Sequence, residues 1–351
     1  MTDPAPDPVP VDALLARVTG IFTRCGMRPD SAASVARVIV AGERDACTSH
    51  GIYRIEGCLK VLAAGKVDGQ AVPRIHDTGK AVIEVDARGG FSNPAFDAGV
   101  DLLAARARET GLAALVIRDG LHFSALWHDV EALAARGLAG LSMCPSYSFV
   151  APAGGTTPLL GTNPFAFGWP RPGHDAGALP YVFDFATSVA ARGEIELHRR
   201  AGTPIPDGWA MDANGAPTTD PEAALAGAML TFGGHKGSAL STMIELLAGA
   251  MLGEFMSREA LDFMGRTDLL PRHGALVLAF DPATFAARSG RDPLAEGERL
   301  LDAIAGQGAR LPSQRRFRAR AAALTDGIAL SAADRAQLDR FAADGLAAVS
   351  V

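Results

Sequence analysis

Apolar residues in the first part of the chain recur at helical spacing. Leu14, Leu15, Val18, Ile21 and Phe22 share one face, and a second helix starting after Asp30 carries Val35, Val38 and Ile39. A third, with Ile55, Leu59 and Leu62, stops near Gly65. From residue 80 the period changes. "AVIEVDA" alternates as a strand, "AFDAGVDLLAARARETG" is a helix closed by Gly111, and "LAALVIRD" predicts a buried strand. The loop "GLHF" leads to a helix over roughly 124–136 and the strand "LAGLSMC". Residues from Pro145 to Pro164 form a connection longer than is usual without a function. "FAFGWP" and "YVFDFAT" read as strands around a Gly-rich turn, and "GSALSTMIELLAGAML" as a deeply buried helix. "ALVLAFD" is a late strand, and helices return from about residue 293.

This order of helical, mixed and helical segments predicts a mixed α/β (α+β) protein. Both chain ends, 11–75 and 293–351, would form one discontinuous helical domain around a central domain over 76–292, which has room for two lobes. A chain of 351 residues is too long for one compact core. The start, "MTDPAPDPVP", reads as a disordered leader over 1–10.

Charge and cysteine content narrow the function classes. With 33 basic against 39 acidic residues the formal charge is -6, which argues against nucleic-acid binding. No apolar run is long enough to span a bilayer, so no membrane partner is expected. Cys25, Cys47, Cys58 and Cys144 lack the paired spacings of a zinc site, so no metal is expected. They read as thiols of a reducing, cytoplasmic compartment. No G-x-G-x-x-G follows a strand, and "GGHKGS" has its lysine in the wrong order for a P-loop. G-x-S-x-G and H-E-x-x-H are absent.

Several polar constellations remain. In "CTSHGIYRIEGC", a helix over 50–62 would put His50 and Arg54 one turn apart on one face, with Ser49 at the N-cap. An imidazole that titrates near neutrality can donate a proton, and a guanidinium can grip a carboxylate. His122 in "LHFSALW" sits at a strand-to-helix junction, where helix N-terminal amides can take an anion. Asp184 lies inside the apolar strand "VFDFA" and needs a partner, such as a protonated histidine. "GGHKGSAL" is a plausible anion cradle, and "RLPSQRRF" concentrates Arg310, Arg315 and Arg316 near a proline turn.

Taken together and in order, six segments carry a resemblance. They are "SHGIYRIEGCLKVLAAGKVDG", "HFSALWHDVEALAARGL", "PLLGTNPFAFGWP", "VFDFATS", "GGHKGSALSTMIELLAG" and "RLPSQRRF". From about residue 12 onward the chain resembles the malate/L-lactate dehydrogenase-type oxidoreductases that lack a Rossmann fold. Within them it is similar to the Δ1-piperideine-2-carboxylate/Δ1-pyrroline-2-carboxylate reductases, because Ser124 and Ala125 follow His-Phe where hydroxyacid dehydrogenases tend to have a glycine. "CPSYSFVAPAGG" departs from the pattern where a substrate-facing loop is expected. The resemblance implies a homodimer and a large mixed or antiparallel sheet in a central domain binding NADPH, or less often NADH. It implies His50 as proton donor, Ser49 and Asp184 as its relay partners, and Arg54, with His122, holding the substrate. It also implies cofactor contacts from His122, Phe123, Ser124, Ala125, Leu126, Thr162, His235, Lys236, Gly237, Arg310, Leu311, Pro312, Ser313, Arg315 and Arg316. The expected reaction is NADPH-dependent reduction of a cyclic α-imino acid. The alternatives are a 2-hydroxyacid dehydrogenase of the malate, lactate or ureidoglycolate type, and a catalytically silent dinucleotide-binding dimer.

Overall fold

The computed structural model describes residues 8–351. Of the expected leader, residues 1–7 lie outside the described part, while Val9 exchanges two backbone hydrogen bonds with Ile328. The chain runs α1 (Val11–Arg24), α2 (Pro29–Arg44), a 3-10 turn (Thr48–His50), α3 (Arg54–Ala63), β1 (Arg74–Asp77), β2 (Val82–Asp86), α4 (Ser92–Thr110), β3 (Leu112–Leu121), α5 (Trp127–Ala134) and β4 (Ala139–Met143). It continues through β5 (Phe165–Trp169), β6 (Tyr181–Phe185), α6 (Arg192–Ala201), β7 (Ala210–Met211), β8 (Pro217–Thr218), α7 (Pro221–Ala226), β9 (Ala228–Met229) and α8 (His235–Ile244). Last come α9 (Ser257–Met264), β10 (Arg272–Phe280), α10 (Pro282–Ala286), α11 (Pro293–Gly306), α12 (Gln314–Asp326) and α13 (Ala332–Asp344).

A seven-stranded mixed sheet, ordered β1-β2-β3-β10-β4-β5-β6, forms the centre. Only β2 and β3 pair in parallel; the other neighbours are antiparallel. The late strand β10 inserts between β3 and β4, and its run "ALVL" is apolar because both faces are covered. Alternate residues divide between two layers. Ile83, Val85, Leu115, Ile117 and Val277 pack with α4 and α5, whereas Val116, Met143 and Leu276 meet Ile244, Ala248 and Leu252 on the opposite face. A small three-stranded sheet, β8-β7-β9, has its own core with Ile195 and Ala224.

Both chain ends contribute to one further core. Leu14, Val18, Ile21 and Phe22 of α1, with Ile39, Ile55 and Leu59, are in the same buried cluster as Leu338 and Phe341 of α13. The segment from 293 is not uniform in this respect. α11 lies against the central sheet, where Gly297 approaches the Trp169 indole and Glu298 pairs with Arg171.

The segment expected to be one deeply buried helix differs most. α8 gives way to a π-helical turn at Glu245–Gly249 and a 3-10 turn at Ala250–Leu252. One face is buried on the sheet, but Leu246 and Met251 are 56% and 59% exposed. The Glu245 carboxylate is buried and explains the break. It accepts hydrogen bonds from the Gly161 and Ser257 amides and the Asn163 side chain, which ties the segment to two loops.

Candidate active site

Because β3 and β4 both run antiparallel to β10, their C-terminal ends lie beside the start of β10. The start of β5 and the end of β6 join them at the same edge of the sheet. His122 follows β3, Cys144 follows β4, and His273 opens β10. Residues far apart in sequence thus converge through sheet topology alone.

The Ser49–His50 turn is held by the end of α2 and not by a helix of its own. A Cβ at Gly42 would stand 2.5 Å from the His50 carbonyl oxygen, and one at Gly51 would stand 2.0 Å from the Glu43 carboxylate. That carboxylate in turn accepts the Ile52 amide at 3.0 Å. The expected helix from residue 50 therefore starts only at Arg54, and Ser49 is not its N-cap. Ser49 Oγ meets His50 Nδ1 at 3.0 Å, while Arg54 Nε donates to the Ser49 carbonyl at 2.7 Å. Serine, histidine and arginine come together by this fold-back. Burial, with the nearby Arg54 charge, pushes the His50 pKa down to about 3. Arg54 makes no ion pair among the described residues, and burial lowers its proton affinity.

His122 is 8% exposed and feels the charges of His50 and Arg54, so it belongs to the same cleft. Its Nε2 is 3.3 Å from Ser124 Oγ, which also accepts a hydrogen bond from the Asn93 amide. The neighbouring Phe123 and Leu126 are buried in the cores, so their side chains serve packing; Ala125 is partly exposed.

Asp184 corrects the expected pairing. Its carboxylate accepts the Trp127 amide at 3.0 Å, and the Leu126 amide also stabilises it, so it caps α5 and makes no hydrogen bond to His50. Burial still lifts its pKa to about 6. A second carboxyl, Asp129 in the first turn of α5, is lifted to about 7 by burial, although Ser142 Oγ donates to it at 2.8 Å.

The three arginines after residue 309 separate. Arg316 is 5% exposed, pairs with Asp45 and Glu131, and lies 4.0 Å over the Trp127 ring. Its charge is consumed inside the protein, so it is not a free phosphate ligand as expected. Arg320 completes this network on both carboxylates. Asp45, Glu131 and Arg320 carry no local sequence signal, because only folding makes them neighbours. Arg310 and Arg315 are exposed and make no ion pair among the described residues. Leu311 is buried and Pro312 exposed, and Ser313 Oγ donates to the Val182 carbonyl on β6 at 2.7 Å.

The other end of β6 meets the second cationic segment, with Phe185 and Phe232 rings 5.6 Å apart. Gly233 and Gly234 then turn at φ +57° and +60° into α8, leaving His235 and Lys236 exposed at its start. Gly237 is a packing position, since a Cβ there would lie 2.2 Å from the Phe232 carbonyl. The Thr162 carbonyl receives the Thr187 amide at 2.8 Å, beside this strand end. Exposed cations at both ends of one edge strand, Arg310 and Arg315 on one side and Lys236 on the other, suit an anionic dinucleotide.

Comparison with known proteins agrees with this architecture. The malate/L-lactate dehydrogenase family matches residues 9–339, and the chain belongs to that family of oxidoreductases. Membership implies a nicotinamide dinucleotide as cofactor. The chain is 62% identical to a Δ1-pyrroline-2-carboxylate reductase of Agrobacterium fabrum, over 97% of this chain and 98% of that protein. It is 53% identical to a Δ1-pyrroline-2-carboxylate/Δ1-piperideine-2-carboxylate reductase of Pseudomonas aeruginosa, over 85% and 88%. The crystal structure of Δ1-piperideine-2-carboxylate reductase from Pseudomonas syringae superposes with a TM-score of 0.90 at 42% identity, covering 96% of this chain and 100% of that one.

Proposed function

We propose that the protein reduces a cyclic α-imino acid, Δ1-pyrroline-2-carboxylate or Δ1-piperideine-2-carboxylate, to L-proline or L-pipecolate with NADPH. The observation that carries this reading is Arg54, a part-buried guanidinium without a carboxylate partner beside the Ser49–His50 pair. A substrate carboxylate on Arg54 would satisfy it and hold the ring against His50. The dinucleotide supplies a hydride to C2, and the ring nitrogen needs a proton. His50 supplies it: as imidazolium, Nδ1–H donates to Ser49 Oγ and Nε2–H remains for the imine nitrogen. Substrate binding prepares this state, since a carboxylate on Arg54 offsets the positive charge that opposes His50 protonation. Asp184 acts one step removed, by fixing the start of α5 beside the cleft.

Arg310, Arg315 and Lys236 would hold the dinucleotide phosphates, with the two arginines favouring a 2′-phosphate and hence NADPH. A homodimer and a cytoplasmic location belong to the same proposal. The exposed apolar side chains Leu246 and Met251 support the first, and four unpaired thiols support the second. Purified protein should oxidise NADPH with both cyclic imines, and faster than NADH. His50→Ala should lose about 10²–10⁴-fold in kcat. A clear preference for pyruvate or oxaloacetate would replace the imine by an oxoacid, and undiminished turnover in the variant would remove the role given to His50.

A further inference from the structure

We propose that His122, Cys144 and His273 form a binding site for a thiophilic divalent cation, Zn2+ in particular, which inhibits the enzyme. The three side chains are 8%, 1% and 2% exposed, and one ligand atom from each lies within 4.8 Å of the others. His122 Nδ1 is 3.8 Å from Cys144 Sγ. Tetrahedral zinc with ordinary bond lengths sets a nitrogen and a sulfur ligand about 3.6 Å apart, so these two need hardly move.

The hydrogen bonds around the cluster fix the orientation of both rings. A carbonyl can only accept, so the 2.9 Å contact of His273 Nδ1 with the Gly274 oxygen is an N–H donation, and the Nε2 lone pair stays free. The His122 ring is turned the other way. Nε2 faces Ser124 Oγ, itself held by Asn93, which leaves Nδ1 toward the thiol. In His273 one ring nitrogen is tethered to a carbonyl and the other is bare, the arrangement that fixes histidine ligands in metal centres. Three protein ligands leave the fourth tetrahedral position for water.

Binding replaces the thiol S–H bond by a metal–sulfur bond and releases that proton to solvent, so affinity rises with pH. The resulting centre keeps one net positive charge. Because His122 shares the cleft with His50 and Arg54, a cation held there adds positive charge beside the proposed proton donor. The inhibition therefore rests on the role proposed for His50, whereas cation binding does not.

Cobalt(II) and zinc titrations of the full-length protein test the two parts separately. Co2+ should produce a thiolate-to-metal charge-transfer band, which Zn2+ displaces, with about one proton released per ion. Cys144→Ala should lose the band yet keep reductase activity, and zinc inhibition should weaken about tenfold or more in it and in His273→Asn. No band in the wild-type protein, or an unchanged band in Cys144→Ala, overturns the site. A band lost in Cys144→Ala with equal zinc sensitivity in both proteins keeps the site and overturns its inhibitory role.

Discussion

At the scale of single residues, the polar groups of the cleft differ in how folding shifts their protonation. His50 is driven down to about 3 because burial and Arg54 both oppose its charge. In the free enzyme the proton-bearing form is then scarce at neutral pH. If His50 is the acid, kcat/KM should fall about tenfold per unit as pH rises from about 5 to 8, and His50→Gln should abolish that slope. A flat wild-type profile would assign the proton elsewhere. Asp129 moves the other way, from its ordinary 3.8 to about 7. The native state thus binds more protons than the unfolded chain between about pH 4 and 7, so stability is greatest at the low end and falls as pH rises through that window. Asp184, at about 6, adds to the same decline over a narrower range. Each tenfold change in proton affinity is worth about 1.4 kcal/mol, which makes the Asp129 effect on the order of a few kcal/mol. Denaturation at several pH values should show a shallower decline in Asp129→Asn, and an unchanged decline would place the titration on another group.

At the scale of elements, α12 gives neighbouring arginines opposite roles. Arg316 points inward to Asp45, Glu131 and the Trp127 ring, linking α12 to the ends of α2 and the start of α5. Removing it leaves buried carboxylates short of a partner, so Arg316→Ala should lower stability by about 3–5 kcal/mol. Arg315, exposed on the next residue, should leave thermal stability unchanged on substitution by Ala and raise KM for NADPH more than for NADH. Steady-state kinetics with both cofactors and a melting curve for each variant distinguish the pair. Equal KM changes for the two cofactors would remove Arg315 from 2′-phosphate recognition. "RLPSQRRF" shows basic residues but not their directions, which follow from Ser313 at φ +63° and its bond to β6. The same limit applies to "CTSHGIYRIEGC". Its residues were legible as candidate chemistry, but its shape was not, because the 3-10 turn depends on close packing of Gly42 and Gly51 with distant atoms.

At the scale of the whole molecule, the two chain ends hold each other. α1 and α13 share a core in which Phe22 and Phe341 are 0% exposed, and Phe123 and Tyr147 extend that core toward the cleft. Phe341→Ala, far from His50 in sequence, should cost about 3–5 kcal/mol through the cavity it leaves. Circular dichroism and activity should be lost in one transition, at a lower temperature than in the wild type. A variant that lost helicity while keeping activity would show that the helical ends melt independently of the cleft.

Periodicity in the sequence determined most elements of the central sheet and helices, because alternation and 3.6-residue spacing reflect local burial. Side-chain chemistry marked Ser49, His50, Arg54 and Asp184, since such groups are conspicuous in their surroundings. Tertiary structure alone decided their partners. β10 enters between β3 and β4 and thereby sets His273 beside His122 and Cys144, Asp184 caps α5 and does not bond to His50, and Arg316 is consumed by Asp45 and Glu131. The physical reason is range: helix and strand follow from neighbours a few positions away, whereas charge neutralisation and ligand geometry depend on atoms that only the folded chain brings within reach.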